Sequence, residues 1–189
     1  MTNKQFRETV RNYAEAKRIA REERNDLGAF GDLHETLVRI AMKGNSNLIH
    51  MNDLHVKKAG RADIIHKGVK FEVGQNGKTW QEGTEADAME GKFTAVAYGM
   101  YDEFTVNAVY SAIADDRIDY AVEIIKAYTC VWVDKYQFLQ DMNEVPARGK
   151  FFTLKNAKVA NQFNQGLYNR FETHLENGEY ITLGEYLRG

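Results

Sequence analysis

Three acidic residues, Glu35, Asp63 and Glu72, are the side chains whose types and spacing could do chemistry together. Asp63 and Glu72 flank His66-Lys67-Gly68, which reads as a tight turn between two short strands. Carboxylates on neighbouring strands that face one side can converge on a divalent cation. Such hard oxygen ligands suit Mg²⁺ (or Mn²⁺), an ion that keeps several waters and bridges to substrate phosphate. A cation held this way activates water and neutralises charge building on a phosphodiester. Glu35, on a helix ahead of the strands, is placed to add a ligand directly or through water. Each acid also has a purely structural use. Glu35 can close a capping box with Asp32 or pair with Arg39 four residues on. Asp63 can be an exposed strand residue, and Glu72 can pair with Lys70 or a cross-strand lysine.

The elements that must position these acids follow from periodicity. Residues 3–25 lack Gly and Pro, and Phe6, Val10, Tyr13, Ala14, Ala16 and Ile19 recur at helical spacing. Asn25-Asp26-Leu27-Gly28 ends that helix. A second helix is predicted over 33–43, with Asp32 as N-cap and Leu33, Leu37, Ile40 and Ala41 as its core face. The period then changes to two. Residues 62–65 and 69–73 read as a hairpin in which Val69, Phe71 and Val73 face one way and Lys70, Glu72 and Gly74 the other. Further strands are expected at 93–98, 118–125, 128–133 and 151–154. Further helices are expected within 80–91 and at 105–114, 135–142, 160–175 and 182–187. Helices and strands in this order predict an α/β domain, a mixed sheet with helices packed on its faces.

In type and order these residues resemble the PD-(D/E)XK nuclease superfamily. There, a helix carrying an acid precedes a hairpin whose first strand bears an Asp and whose second bears (D/E)-x-K. Arg61-Ala62-Asp63-Ile64-Ile65 is similar to the first strand, Lys70-Phe71-Glu72-Val73-Gly74 to the second, and Gly31-Asp32-Leu33-His34-Glu35 to the helix start. The likeness spans residues 30–78 and, more loosely, 118–142. It implies a restriction-endonuclease-like mixed central sheet flanked by helices. It also implies metal binding by Asp63, Glu72 and Glu35, and hydrolysis of DNA phosphodiester bonds. A stand-alone endonuclease of a restriction, phage or mobile-element kind fits the chain's size. One position departs from the pattern: the family's lysine falls on Gly74. Three residues could substitute. Lys70 shares a strand face with Glu72, Gln75 sits one position late and needs a bulge to join, and Lys78 lies beyond the turn. If none does, the chain is an inactive nuclease-like protein that binds nucleic acid or a protein partner as an inhibitor or assembly factor.

Charge is segregated along the chain. The whole carries a formal charge of −2, yet residues 50–70 hold five basic residues against two acids, and residues 82–123 hold ten acids against two basic residues. The basic stretch suits a phosphate backbone. Lys57, Lys58, Arg61, His66, Lys67 and, just beyond it, Lys78 are its candidate DNA contacts. The acidic stretch suits a protein partner. A homodimer would suit double-strand cutting, with the first helix available to mediate it.

At 189 residues and 43% hydrophobic, the chain has the apolar material for a core. The organisation expected is an N-terminal helix (1–28), an α/β core (29–145) and a helical extension (146–189). Cys130 sits alone in an apolar run, so neither an internal disulfide nor a cysteine zinc site can form. A buried, inert thiol in the reducing cytoplasm is the expectation. The N-terminus has no apolar signal region, and no run approaches the roughly 18 apolar residues of a membrane span. There is no Gly-Lys-Ser/Thr phosphate loop, no Gly-x-Ser-x-Gly elbow and no His-Glu-x-x-His. The histidines match no zinc spacing and are expected at the surface or in packing.

Overall fold

The structure is a computed structural model, and it describes residues 3–26, 28–43, 62–75, 87–136 and 181–189. The chain runs through helix α1 (Asn3–Arg24), helix α2 (Gly28–Lys43), strand β1 (Ile64–His66) and strand β2 (Val69–Gln75). Strand β3 (Ala95–Gly99), helices α3 (Glu103–Ala114) and α4 (Ile118–Tyr128), strand β4 (Thr129–Trp132), strand β5 (Ile181–Thr182) and helix α5 (Leu183–Arg188) follow. The five strands form one mixed sheet in the order β1-β2-β3-β4-β5. All neighbours pair antiparallel except β2 and β3, which are parallel. This is the α/β class expected, with a mixed sheet flanked by helices.

Helix α1 buries Phe6, Val10 and Ala14, one residue per turn, while Ala16 of the expected stripe is exposed. Asn25, at φ 52°, closes α1 in the left-handed region that Asn tolerates. Asp26 then accepts a hydrogen bond from the Gly28 N–H at 3.0 Å. Helix α2 therefore begins at Gly28, earlier than residue 33, and Asp32 is not its N-cap. Asp32 lies inside the helix and pairs with Lys17 of α1 at 2.5 Å. Leu33, Leu37, Ile40 and Ala41 are all buried, and so are Ala29, Phe30, Val38 and Met42. This helix is packed on several sides, against α1, α4 and β2.

Residues 118–125, expected as a strand, form most of α4 instead. Ile118, Ala121 and Ile125 are the buried residues of that helix, and Asp119 and Glu123 are exposed. Their three- and four-residue spacing is helical, and packing that stripe outweighs the strand preference of Ile and Val. The expected helices at 105–114 and 182–187 appear as α3 and α5. The latter is closed by a capping box between Thr182 and Glu185. Strands at 93–98 and 128–133 appear as β3 and β4, and all their residues are buried. Cys130 is buried with them, and its thiol donates to the Ile181 carbonyl at 3.4 Å. Of 80–91, residues 87–89 are described and helical. The expected elements at 151–154 and 160–175, and most of 135–142, lie outside the described residues.

The expected hairpin forms, but its first strand is Ile64–His66 rather than 62–65, so Asp63 precedes the strand and His66 belongs to it; Ile64 lies opposite Phe71, Ile65 opposite Lys70 and His66 opposite Val69. Its two-residue turn has Lys67 at φ 49° and Gly68 at φ 80°. Two positive φ values in a row match the twist of the flanking strands, and Asn-Gly is the preferred pair for such a turn. A lysine held there strains against its own Cβ. Lys67→Asn is expected to stabilise the fold by about 0.5 kcal/mol, read as a higher urea midpoint at unchanged slope.

Candidate functional site

The candidate site forms where β1 starts. Asp63 immediately precedes β1, and continuing the hairpin register by one residue sets it opposite Glu72. Residues opposite each other in an antiparallel pair share a face. Ile64, Phe71 and Val73 face the core on the α2 side, so Lys70 and Glu72 belong to the other side of β2. The Asp63 carboxylate, just ahead of β1, reaches the β2 main chain: its Oδ2 accepts the Val73 N–H at 2.8 Å.

Arg39 joins this hairpin to α2. Its Nη2 donates to the Asp63 carbonyl at 3.0 Å and to Glu35 Oε1 at 2.9 Å. Of the two structural uses open to Glu35, the i,i+4 pairing with Arg39 is the one realised. Both side chains are largely buried, at 13% and 16% exposure for Arg39 and Glu35. Among the described residues, no group of three or more His, Cys, Asp or Glu side chains could hold a metal ion. Mg²⁺, however, is commonly bound by one or two carboxylates, with water and substrate phosphate completing its shell. Asp63 and Glu72 supply carboxylates of the type that mode uses, although one Asp63 oxygen already accepts the Val73 N–H.

The substitutes for the family lysine separate cleanly. Strands β2 and β3 pair in unbroken register from Phe71 with Ala95 to Gln75 with Gly99. No bulge turns Gln75 toward Glu72. It lies with Phe71 and Val73 on the α2 side, buried, its side-chain nitrogen 3.5 Å from where a Cβ on Gly31 would stand. Lys70 is exposed on the face of Glu72. Lys78 lies outside the described residues, as do Lys57, Lys58 and Arg61. Lys67 is exposed at the hairpin turn.

His66 packs more than it protrudes. Its ring lies 5.9 Å from that of Tyr186 in α5, which also packs edge-on against Phe71. Burial pushes the His66 imidazole below its usual pKa, and the neighbouring Lys67 charge adds to this, against a hydrogen bond with the Met42 backbone. The folded state therefore takes up the proton less readily than the unfolded chain. This contribution is full above pH 6.5, the ordinary histidine value, and is lost as pH falls from there through the lowered folded value. Below pH 6.5, His66→Gln is expected to show a shallower loss of stability than the wild type, followed as urea midpoint against pH.

A second group of polar residues was not foreseen from sequence. His34 Nε2 and the Tyr101 hydroxyl lie 3.1 and 2.8 Å from the Thr129 Oγ1, and all three residues are buried. Burial holds the Tyr101 phenol well above its ordinary pKa, so it stays protonated. The cluster sits where β2 and β3 end and β4 begins, beside Gln75 and Gly99. In open α/β sheets this carboxyl edge is where ligand crevices form. No motif in the sequence joins residues so far apart, and only Gly99 makes their approach feasible. A Cβ there would lie 2.2 Å from the Tyr101 ring and 2.7 Å from His34 Nε2. Gly99→Ala is expected to cost about 3 kcal/mol by overpacking, measured by urea unfolding.

No family model, curated protein or solved structure matches this chain. Among the described residues, no helix is long and apolar enough to cross a membrane.

Proposed function

We propose that this chain is a Mg²⁺- or Mn²⁺-dependent nuclease of restriction-endonuclease-like fold that hydrolyses DNA phosphodiester bonds. The observation that carries the reading is the hairpin register. Continued by one residue, it sets Asp63 opposite Glu72, and Arg39 ties the Asp63 main chain to Glu35 of the preceding helix. In this reading Asp63 and Glu72 hold the cation, which supplies an activated water and charge neutralisation at the phosphate when bound. Lys70, two residues before Glu72 on the same strand face, takes the role of the family lysine and orients the attacking water. Lys57, Lys58, Arg61, Lys67 and Lys78 meet the DNA backbone, where lysine and arginine serve mainly to position the duplex.

A second reading has its own support. Gly74 offers no side chain at the lysine position, and Gln75 faces α2. A chain so built could bind nucleic acid, or a protein through its acidic 82–123 stretch, without cutting.

Calorimetric titration with Mn²⁺, paired with plasmid and linear DNA cleavage, tests both. Wild type is expected to bind Mn²⁺ and cut. Asp63→Asn and Glu72→Gln should each abolish binding and slow cleavage by about a thousandfold, the scale of losing several kcal/mol of metal stabilisation. Ion or DNA binding without cleavage would favour the second reading. Absence of both ion binding and cleavage would sink the nuclease.

A further inference from the structure

His66 closes β1 and shares the core-facing side of the hairpin with Ile64. A hydrogen bond joins its ring to the Met42 backbone of α2. The Tyr186 ring of α5 lies 5.9 Å away, tilted by 60°. The His66 Nε2 is buried and has no hydrogen-bond partner. A neutral imidazole tolerates this, because only one of its nitrogens carries a proton. An imidazolium carries two, so its second N–H would be a buried donor without an acceptor. The charges around the ring do not offset this. Lys67, next in the turn, repels a cation and outweighs the Met42 bond, and Lys70 stands on the other side of β2. On α5, burial keeps the Tyr186 phenol protonated, and Glu185 is engaged in the capping box at Thr182. Arg188 is exposed, with its Nη1 3.7 Å from where a Cβ on Gly184 would stand.

Helix α5 is the element that can move in answer. It has six residues, too few to persist alone, and it docks through Leu183, Tyr186 and Leu187. Tyr186 meets the hairpin at His66 and Phe71. We propose that His66 is a proton-operated latch on α5: neutral, it seats Tyr186 and holds Ile181–Arg188 in place, and protonated, it releases that segment while the rest of the sheet stays folded. Release uncovers Phe71, the neighbour of Glu72 on β2, and with it the apolar side that fixes the hairpin register. The latch stands on packing and does not require the nuclease reading.

Hydrogen exchange of the full chain, read by mass spectrometry and corrected for the intrinsic pH dependence of exchange, tests it. From about pH 7.5 to about pH 5.5, the peptide carrying residues 181–189 is expected to open about fivefold more often, within the roughly tenfold per pH unit that one linked proton allows. It should open at lower protection than β3, as a local event. His66→Gln should leave its exchange flat across this range. NMR titration of the His66 ring should place its protonation below pH 6.5 in the wild type. Tyr186→Leu, which removes the ring covering it, should return that titration toward pH 6.5. The latch is overturned if 181–189 opens only together with β3, if its opening in the wild type does not change with pH, or if His66→Gln keeps the wild-type response. If His66→Gln does not fold, the ring titration decides by itself: a His66 that titrates at the same pH in wild type and Tyr186→Leu overturns the latch.

Discussion

The register of the β1–β2 hairpin is the constraint on which the candidate site depends. Side chains alternate along a strand with a period of two, so a slip of one residue sends every side chain to the opposite face. Here the slip is blocked by the side of the hairpin that does no chemistry. Ile64, Phe71 and Val73 are buried in the core, and exposing a side chain of this kind costs about 1.5–3 kcal/mol each. The two-residue turn at Lys67 and Gly68 sets the pairing from the other end. Lys70 and Glu72 thus face together because their apolar neighbours Phe71 and Val73 must face the other way.

Helix α2 is the joint between that hairpin and the rest of the molecule. Its apolar residues pack in the core with those of α1, α4 and β2, while its polar residues reach two places on the sheet. His34 contacts Thr129 at the start of β4, and Arg39 reaches Asp63 at the start of β1. A helix fixed at both points holds Glu35 at a set distance from the hairpin. The ion pairs that fasten α1 to its neighbours contribute less. Arg21 meets Glu103 through two nitrogens, and Arg7 meets Asp116, but Glu103 and Asp116 are well exposed. Exposed pairs of this kind contribute about 1 kcal/mol or less. What holds the site is therefore burial of apolar surface, with directional bonds choosing among arrangements that burial alone would allow.

Among the described residues, the outermost strands of the sheet are short, three residues in β1 and two in β5. Short edges limit pairing with other chains. At the centre, β3 is buried throughout and, among the described residues, carries the one parallel pairing, to β2. That pairing brings Gln75 and Gly99 to the same carboxyl edge and so creates the polar cluster with His34, Tyr101 and Thr129.

Local pattern was enough for most elements. The helical stripe Phe6, Val10, Ala14, the alternation Val69, Phe71, Val73 and the uniformly apolar run at 128–133 each name their element without help. So did the shared face of Lys70 and Glu72, because alternation along one strand is local. Other features needed the third dimension. Residues 118–125 carry strand-prone Ile and Val at helical spacing, and the packing of Ile118, Ala121 and Ile125 decided for the helix. Asp32 looks like a cap in sequence, but the helix starts earlier, at Gly28, and Asp32 pairs with Lys17. Gln75 could have joined Glu72 through a bulge, and the unbroken ladder with β3 turned it to α2. The sequence by itself determined which acids stand on which kind of element, since propensity and periodicity act over a few residues. Only the tertiary structure decided that Arg39, already within i,i+4 reach of Glu35 on its own helix, also grips Asp63. Such partners are chosen by which elements are packed together, and packing is a property of the whole chain.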